Sequence, residues 1–180
     1  MSKKVLVVVD MQNDFIDGPL GNAECQAVVP KVVDVIKNGE WDEIITTHDT
    51  HDEKYMNIQE GKNLPIPHCI FPSNGWALIP EVRDAIEEKS DASINFDKHT
   101  FGSIHLSEYL YHKYFSYGND VEITFVGVCT GICVISNAVI AKSFCPEAKI
   151  NIVADACACV TPESHKTALE AMKLLQMNII

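Results

Sequence analysis

One short segment of the sequence has the residue types and spacing of a cysteine nucleophile. Residues 127–134 read GVCTGICV, a pattern that predicts a strand, a glycine-bounded turn and then a helix. Cys133 would lie in the first helical turn, where backbone N–H groups and the helix dipole stabilise a thiolate. The same N–H groups can bind a tetrahedral oxyanion. A buried core cysteine is the alternative interpretation of this pattern.

A carboxylate and a lysine elsewhere in the chain would complete such a site. Asp10 follows the apolar run 5–9, and a carboxylate at the end of a buried strand is costly unless it has a partner or a function. Lys98 follows another predicted strand. Taken singly, Asp10 also fits a turn residue and Lys98 a solvated surface lysine. Together, the carboxylate can accept a thiol proton and the ammonium can stabilise the ionised pair.

Three further residues have the side-chain types of a divalent metal site. They are Asp49, His51 and His68. Asp49 and His51 are two positions apart, so an extended backbone places both side chains on the same side. The spacing alone is a weak signal, and ordinary surface polar residues are the other interpretation.

The elements that must position these residues alternate between strand and helix. We expect strands at 4–10, 43–48, 93–97, 121–128, 149–154 and 178–180, and helices at 28–38, 81–88, 106–115, 132–144 and 162–175. This alternation predicts a three-layer α/β fold in which helices cover both faces of a mainly parallel sheet. We expect one domain over residues 1–180.

The reactive residue types follow the predicted strands. They are Asp10, His48, Asp49, His51, Asp97, Lys98, Cys129, Thr130, Cys133 and Asp155. In parallel sheets, ligands bind outside the carboxyl ends of the strands, so we expect these side chains to meet at one edge. The stretch 50–80 is too long for an ordinary connection, and we expect it to fold over the site.

Composition excludes several classes of partner. The formal net charge of −11 disfavours binding to nucleic acid or to an anionic membrane surface. The longest apolar runs are too short to span a bilayer, and the basic start is not followed by a signal-peptide pattern. We therefore expect a cytoplasmic protein whose seven cysteines are reduced. We also expect it to form a homo-oligomer.

Taken together, these segments resemble the isochorismatase-like cysteine hydrolases, and among them the nicotinamidases (pyrazinamidases). The matching segments cover nearly the whole chain in the family's order: 9–15 (VDMQNDF), 47–51 (THDTH), 65–69 (PIPHC), 97–98 (DK), 127–134, 155–157 (DAC) and 161–165 (TPESH). The segments around Asp10, Lys98 and Cys133 are specific for the superfamily. The metal-type segment is what indicates a nicotinamidase.

The resemblance implies a role for each residue of the catalytic set. Asp10 would be the general base, Lys98 its charged partner and Cys133 the nucleophile. The backbone N–H groups of Cys129 and Cys133 would bind the oxyanion. A cis peptide bond between Val128 and Cys129 is also implied.

The resemblance implies one bound divalent ion, Zn²⁺, Fe²⁺ or Mn²⁺, on Asp49, His51 and His68. Family members take a further ligand from the following loop, where Asn57 and Glu60 both stand near the expected place. We expect Glu60, because a carboxylate is the stronger ligand for a hard or borderline ion.

The substrate pocket departs from the family pattern. Nicotinamidases commonly have an aromatic residue just before the Pro-x-His segment, whereas this chain has Leu64 and Pro65. Phe15 would still form one wall of the pocket, and Trp76 or Phe101 could replace the missing aromatic.

The implied reaction is hydrolysis of nicotinamide to nicotinate and ammonia through a cysteine thioester, a step of pyridine nucleotide salvage in NAD metabolism. One alternative is another amidase of the superfamily, which acts on a carbamoyl or ureido compound without a metal. A second alternative is a non-catalytic binding protein on the same fold. The intact set of Asp10, Lys98 and Cys133 argues against this second alternative.

Overall fold

A six-stranded parallel sheet forms the centre of the protein, whose computed structural model describes residues 2–90 and 92–180. The strands are β1 Lys3–Val9, β2 Glu43–Asp49, β3 Ile94–Lys98, β4 Val121–Val128, β5 Lys149–Ala158 and β6 Asn178–Ile179. They lie in the order β3-β2-β1-β4-β5-β6, and every adjacent pair is parallel. The predicted α/β architecture is confirmed.

Helices cover both faces of this sheet. They are α1 Asn13–Ile16, α2 Ala23–Asn38, α3 Gln59–Asn63, α4 Pro80–Lys89, α5 Ile104–Tyr114, α6 Ile135–Phe144 and α7 Pro162–Leu174. Because side chains alternate along a strand, Leu6 and Val8 of β1 pack with α2 and α4. Val5, Val7 and Val9 pack on the opposite face with α5, α6 and α7. Within the described ranges, no helix combines the length and apolarity needed to cross a bilayer.

Helix α2 begins at Ala23, so the predicted start at 28 is wrong. The side-chain oxygen of Asn22 accepts a hydrogen bond from the Cys25 N–H at 2.9 Å and caps the first turn. An N-cap of this kind satisfies a backbone donor that the helix leaves free. The apolar periodicity marks mainly the later turns of α2 and therefore misses its first turn.

Strand β5 extends to Ala158 rather than ending at 154, and it carries an irregularity. Phe125 of β4 pairs with Ile152, but Gly127 pairs with Cys157, so β5 has extra residues between these two pairs. Asp155 lies in this part of the strand. Its side chain is 66% exposed and pairs with Lys31 at 3.2 Å. The prediction that Asp155 joins the reactive edge is therefore wrong.

The turn after β4 differs from the predicted continuous helix 132–144. A π-helical turn spans Thr130–Val134, and the regular helix α6 begins only at Ile135. The Cys129 carbonyl accepts hydrogen bonds from the N–H groups of Ile132 at 3.0 Å and Val134 at 3.1 Å. Such irregular turns occur frequently at functional sites.

Candidate active site

The carboxyl end of β1 places Asp10 at the centre of a buried polar group. Its backbone has a positive φ of 49°, and its N–H donates to the Thr47 carbonyl at 3.1 Å. The Thr47 hydroxyl donates to Asp10 Oδ1 at 2.6 Å. Lys98 Nζ lies 2.7 Å from the other carboxylate oxygen. Asp10 therefore has two defined partners although it is completely buried.

Lys98 connects the carboxylates to the proposed nucleophile. Its ammonium nitrogen lies 3.3 Å from Asp49 Oδ1 and 3.6 Å from Cys133 Sγ. Burial disfavours the charged form of Lys98, but the nearby Asp10, Cys133 and Asp49 outweigh that effect and raise its pKa above the usual value. The ammonium therefore remains charged in the interior, between groups that carry or can acquire negative charge.

The Cys133 side chain completes the catalytic set predicted from the sequence. It is 6% exposed, and burial together with the Asp10 carboxylate raises the pKa of its thiol, although Lys98 acts in the opposite direction. The Asp10 carboxylate is close to this thiol, because Lys98 Nζ contacts both groups. In the resting protein Cys133 is thus a protonated thiol beside a carboxylate that can accept its proton.

A second group of side chains adjoins this set and has the composition of a metal site. Asp49, His51, Glu60 and His68 each present a ligand atom, and these four atoms lie within 4.8 Å of one another. Asp49 Oδ2 is 2.9 Å from His51 Nε2 and 3.3 Å from His68 Nε2. Glu60 Oε1 is 3.7 Å from His51 Nε2 and 3.8 Å from His68 Nε2.

These four residues fit a divalent cation. His68 Nδ1 bonds to the Ile66 carbonyl at 2.8 Å, which makes Nδ1 the protonated nitrogen and leaves Nε2 as the acceptor facing the group. Burial and the Asp49 carboxylate raise the pKa of Glu60, because two carboxylates close together repel each other. A cation would remove that repulsion. Asn57, the other candidate ligand, is exposed.

Two residues that the sequence analysis did not single out hold this group in place. The Gln12 side chain donates to the Asp49 carbonyl at 2.9 Å and accepts from the Asp49 N–H at 2.7 Å. The Tyr55 ring packs on the rings of His51 and His68, with centroid distances of 4.6 Å and 4.9 Å. The buried amide at Gln12, directly after the β1 exit, was the available sequence signal. Tyr55 had none.

One cavity joins the two groups. Its volume is about 420 Å³. Its lining includes Cys133 and Cys129 together with Asp49, Glu60 and His68 of the metal-type group. The other lining residues are Phe15, Pro19, Leu20, Gly21, Asn22, Leu64, Phe101, Ile132 and Val160. The predicted folding of the stretch 50–80 over the site is confirmed, because this stretch supplies Glu60, Leu64 and His68.

The aromatic residues proposed for the pocket separate into two groups. Phe15 and Phe101 line the cavity, and the Phe15 ring lies 5.4 Å from the His68 ring. Trp76 lies elsewhere: its ring packs on His48 and its Nε1 donates to Thr50 Oγ1 at 2.9 Å. Trp76 is therefore a structural residue of the loop rather than a wall of the cavity.

The turn that carries Cys129 and Cys133 has the backbone form implied by the resemblance. The peptide bond between Val128 and Cys129 is cis. Cys133 belongs to the π-helical turn, and Cys129 precedes it. The assignment of their N–H groups to an oxyanion hole stays a prediction.

The fold and this buried arrangement define a class of three-layer α/β protein with a polar site at one edge of its sheet. A family model described as the Isochorismatase domain matches residues 4–180, so the chain belongs to the isochorismatase family. Within the family it is similar to nicotinamidases. The nicotinamidase of Saccharomyces cerevisiae is 25% identical over 175 residues, which cover 76% of this chain and 80% of that protein.

Solved structures give the same relationship. A pyrazinamidase/nicotinamidase from Streptococcus mutans UA159 has a TM-score of 0.82 and 26% identity, and the match covers 99% of this chain and 100% of that chain. The nicotinamidase PncA from Bacillus subtilis has a TM-score of 0.80 and 25% identity, with 98% of both chains covered.

Proposed function

We propose that the protein is a metal-dependent cysteine amidase that hydrolyses nicotinamide to nicotinate and ammonia. The observation that carries this proposal is the shared cavity, which Cys133 and three residues of the metal-type group line together. Similarity to nicotinamidases supports the same reaction class. A ligand in this cavity can contact both groups at once.

The reaction begins with proton transfer from Cys133 to Asp10. The Cys133 thiolate attacks the carboxamide carbon, and the backbone N–H groups of Cys129 and Cys133 stabilise the oxyanion. One such donor contributes about 3 kcal/mol. The positive charge of Lys98 balances the negative charge as that charge moves from the Asp10 carboxylate to the Cys133 sulfur.

Collapse of the tetrahedral intermediate releases ammonia, which takes the proton from Asp10, and leaves a thioester on Cys133. Asp10 then removes a proton from water, and the resulting hydroxide attacks the thioester carbon. Nicotinate leaves, and the Cys133 sulfur regains a proton. The same carboxylate thus serves as base, acid and base again.

Asp49, His51, Glu60 and His68 would hold the divalent ion. When bound, such an ion supplies a Lewis acid that can hold a pyridine nitrogen and orient the ring. Phe15 would pack beside the ring, since it lines the cavity next to His68.

The decisive experiment compares nicotinamide with benzamide, which keeps the ring and lacks only the nitrogen. We expect kcat/KM for ammonia release to be roughly 100-fold lower for benzamide, because one positioning contact of about 3 kcal/mol is lost. Equal rates would show that the ring nitrogen is not recognised, and the substrate assignment would then be wrong.

A carbamoyl or ureido amide is the second candidate substrate. Leu64 lines the cavity at the place where nicotinamidases commonly carry an aromatic residue, so the cavity offers the ring less stacking surface. The metal-type group favours nicotinamide as the substrate, since the amidases that act on carbamoyl or ureido compounds need no metal. Turnover of a ureido compound together with no turnover of nicotinamide would establish this second candidate.

A further inference from the structure

Three cysteines from distant parts of the chain meet beside the active site. Cys25 belongs to the first turn of α2, Cys129 follows β4, and Cys159 follows β5. Cys129 and Cys159 directly follow Val128 and Ala158, which pair with each other in β4 and β5. Cys129 also packs against the apolar cluster that contains Cys25. Cys25 and Cys159 are 1% and 3% exposed, and all three cysteines are free thiols. The catalytic scheme uses none of these three sulfur atoms.

Two cysteines of this cluster line different cavities. Cys129 lines the active-site cavity. Cys159 lines a separate cavity of about 220 Å³, together with Glu24, Thr161 and His165. A molecule as small as hydrogen peroxide can therefore reach the cavity beside Cys159 without entering the active site.

The surroundings of Cys159 favour its thiolate. The neighbouring Cys129 thiol, aided by Ser164 and by the backbone of Gly131 and Val160, lowers the pKa of Cys159 to about 5 against the opposing effect of burial. Helix α7 begins shortly afterwards at Pro162, and the dipole at its N-terminus also favours the thiolate. The thiolate is the form that reacts with peroxides.

We propose that Cys129 and Cys159 are a thiol oxidation site at which a hydroperoxide produces a reversible disulfide. The Cys159 thiolate attacks one peroxide oxygen, the O–O bond breaks, and a sulfenic acid and hydroxide form. The Cys129 sulfur then attacks the sulfenic sulfur and loses its proton, the S–O bond breaks, and water leaves. Cysteine is oxidised by two electrons in total, and the peroxide is reduced.

This disulfide would disturb the turn that carries the nucleophile. An S–S bond is about 2.05 Å long, so the two sulfur atoms must move closer than any hydrogen-bonded pair. The Cys129 carbonyl accepts a hydrogen bond from the N–H of Val134, next to Cys133, and the Cys159 sulfur lies beside Gly131 of the same turn. Movement of Cys129 thus shifts the turn. The expected loss of activity rests on the proposed amidase function, whereas formation of the cross-link does not depend on that function.

The test treats the purified protein with hydrogen peroxide, blocks the remaining thiols under denaturing conditions and maps the peptides by mass spectrometry. We expect a peptide pair joined through Cys129 and Cys159. The ammonia-release rate of the cross-linked fraction should fall roughly 100-fold, as expected when one oxyanion donor is displaced. Dithiothreitol should restore the rate and remove the cross-link.

Two variants provide the controls. Cys159→Ser should form no cross-link and keep its activity in peroxide, whereas Cys145→Ser, which changes a buried cysteine at the far end of α6, should respond like the wild type. If Cys159→Ser does not fold, the peptide map of the wild-type protein by itself tests whether Cys129 and Cys159 are cross-linked.

A cross-link between Cys25 and Cys129, or no cross-link while Cys133 is oxidised, would overturn the proposal. Absence of ammonia release in the reduced protein would instead contradict the amidase function, because the peptide map does not depend on turnover.

Discussion

At the scale of single residues, the site depends on a lysine that is buried among groups of opposite charge. Lys98 contacts Asp10 at 2.7 Å and Asp49 at 3.3 Å, and it is 3% exposed. Removing one partner of such a buried pair leaves an uncompensated charge, which costs about 3–5 kcal/mol. Substitutions of Lys98 or Asp10 would therefore change the stability of the fold and the catalytic rate together. Such variants do not distinguish a catalytic effect from a structural one.

The thiol offers a cleaner test of the chemistry. Cys133→Ala removes one sulfur atom and no charge, so we expect the protein to fold normally. Without the attacking group, kcat for ammonia release from nicotinamide should fall by about 10⁴-fold or more. Circular dichroism and the urea midpoint would check the fold, and a coupled ammonia assay would measure the rate.

The matched control for this prediction is Cys145→Ala. Cys145 is also buried, at 3% exposed, but it follows the last turn of α6 rather than lying in the catalytic turn. It should keep the wild-type rate. Substantial turnover by Cys133→Ala would rule out the covalent mechanism.

At the scale of elements, a second buried polar group joins α5 to β2 at the end of the sheet opposite the active site. Glu43 is the first residue of β2, and its carboxylate accepts hydrogen bonds from Tyr109, Lys113 and Tyr114. The Tyr114 hydroxyl donates to Glu43 Oε2 at 2.6 Å. Because β2 ends in Asp49, this group helps to place the strand that supplies a metal-type ligand.

We expect Tyr114→Phe to lower the free energy of unfolding by about 1–3 kcal/mol, since a buried carboxylate loses a donor. Burial and the Glu43 carboxylate raise the pKa of Tyr114. The hydroxyl therefore makes its full contribution to the free energy of unfolding below a pH of about 10, which is the pKa of tyrosine in an unfolded chain. That contribution is lost as the pH rises further, toward the higher pKa of Tyr114 in the folded protein. Urea unfolding at pH 7 and above pH 10 measures both effects.

Tyr111→Phe is the control on the same helix, because this tyrosine is 37% exposed and its ring packs on Phe115 and Phe144. It should change stability by less than about 0.5 kcal/mol. An equal effect from the two substitutions would mean that the hydrogen bond to Glu43 contributes nothing.

At the scale of the whole molecule, the metal-type group ties the long stretch 50–80 to the sheet. Asp49 ends β2, His51 and His68 lie in the stretch itself, and Glu60 belongs to α3. Backbone hydrogen bonds fasten the same region, since the His51 N–H donates to Cys69 and the Phe71 N–H donates to His51. A bound ion would therefore stabilise the packing of this stretch against the sheet.

We expect removal of the ion by a chelator to lower the melting temperature by about 5–10 °C. A ligand present at 100 times its Kd stabilises the folded state by about 2.7 kcal/mol, and each kcal/mol corresponds to about 2–4 °C in a domain of this size. Differential scanning calorimetry, with elemental analysis before and after chelation, would measure the shift and the metal content.

The controls are two histidine variants. His68→Ala should bind no ion and melt at the same temperature with and without chelator. His105→Ala changes a histidine of α5 whose side chain is 82% exposed, and it should respond like the wild type. A wild-type protein that contains no divalent ion and shows no shift would contradict the metal assignment.

Much of this protein could be predicted from local pattern. The apolar run before Asp10 and the β-branched run 121–128 define strands on their own. Parallel strands then bring their carboxyl ends to one edge, so the sequence alone groups Asp10, Asp49, Lys98 and Cys133. The position at which such a strand ends depends on a few neighbouring residues, so the local sequence predicts it.

Only the tertiary structure decided which residues from irregular segments reach the site. It placed Glu60 in the metal-type group, left Asn57 exposed and placed Trp76 against His48, because the path of a loop depends on contacts between distant residues. It also placed Cys129 beside Cys25 and Cys159, which no local pattern connects. Their contact results from the packing of α2 and the turn after β4 against the end of β5, and such packing energies are properties of the whole fold.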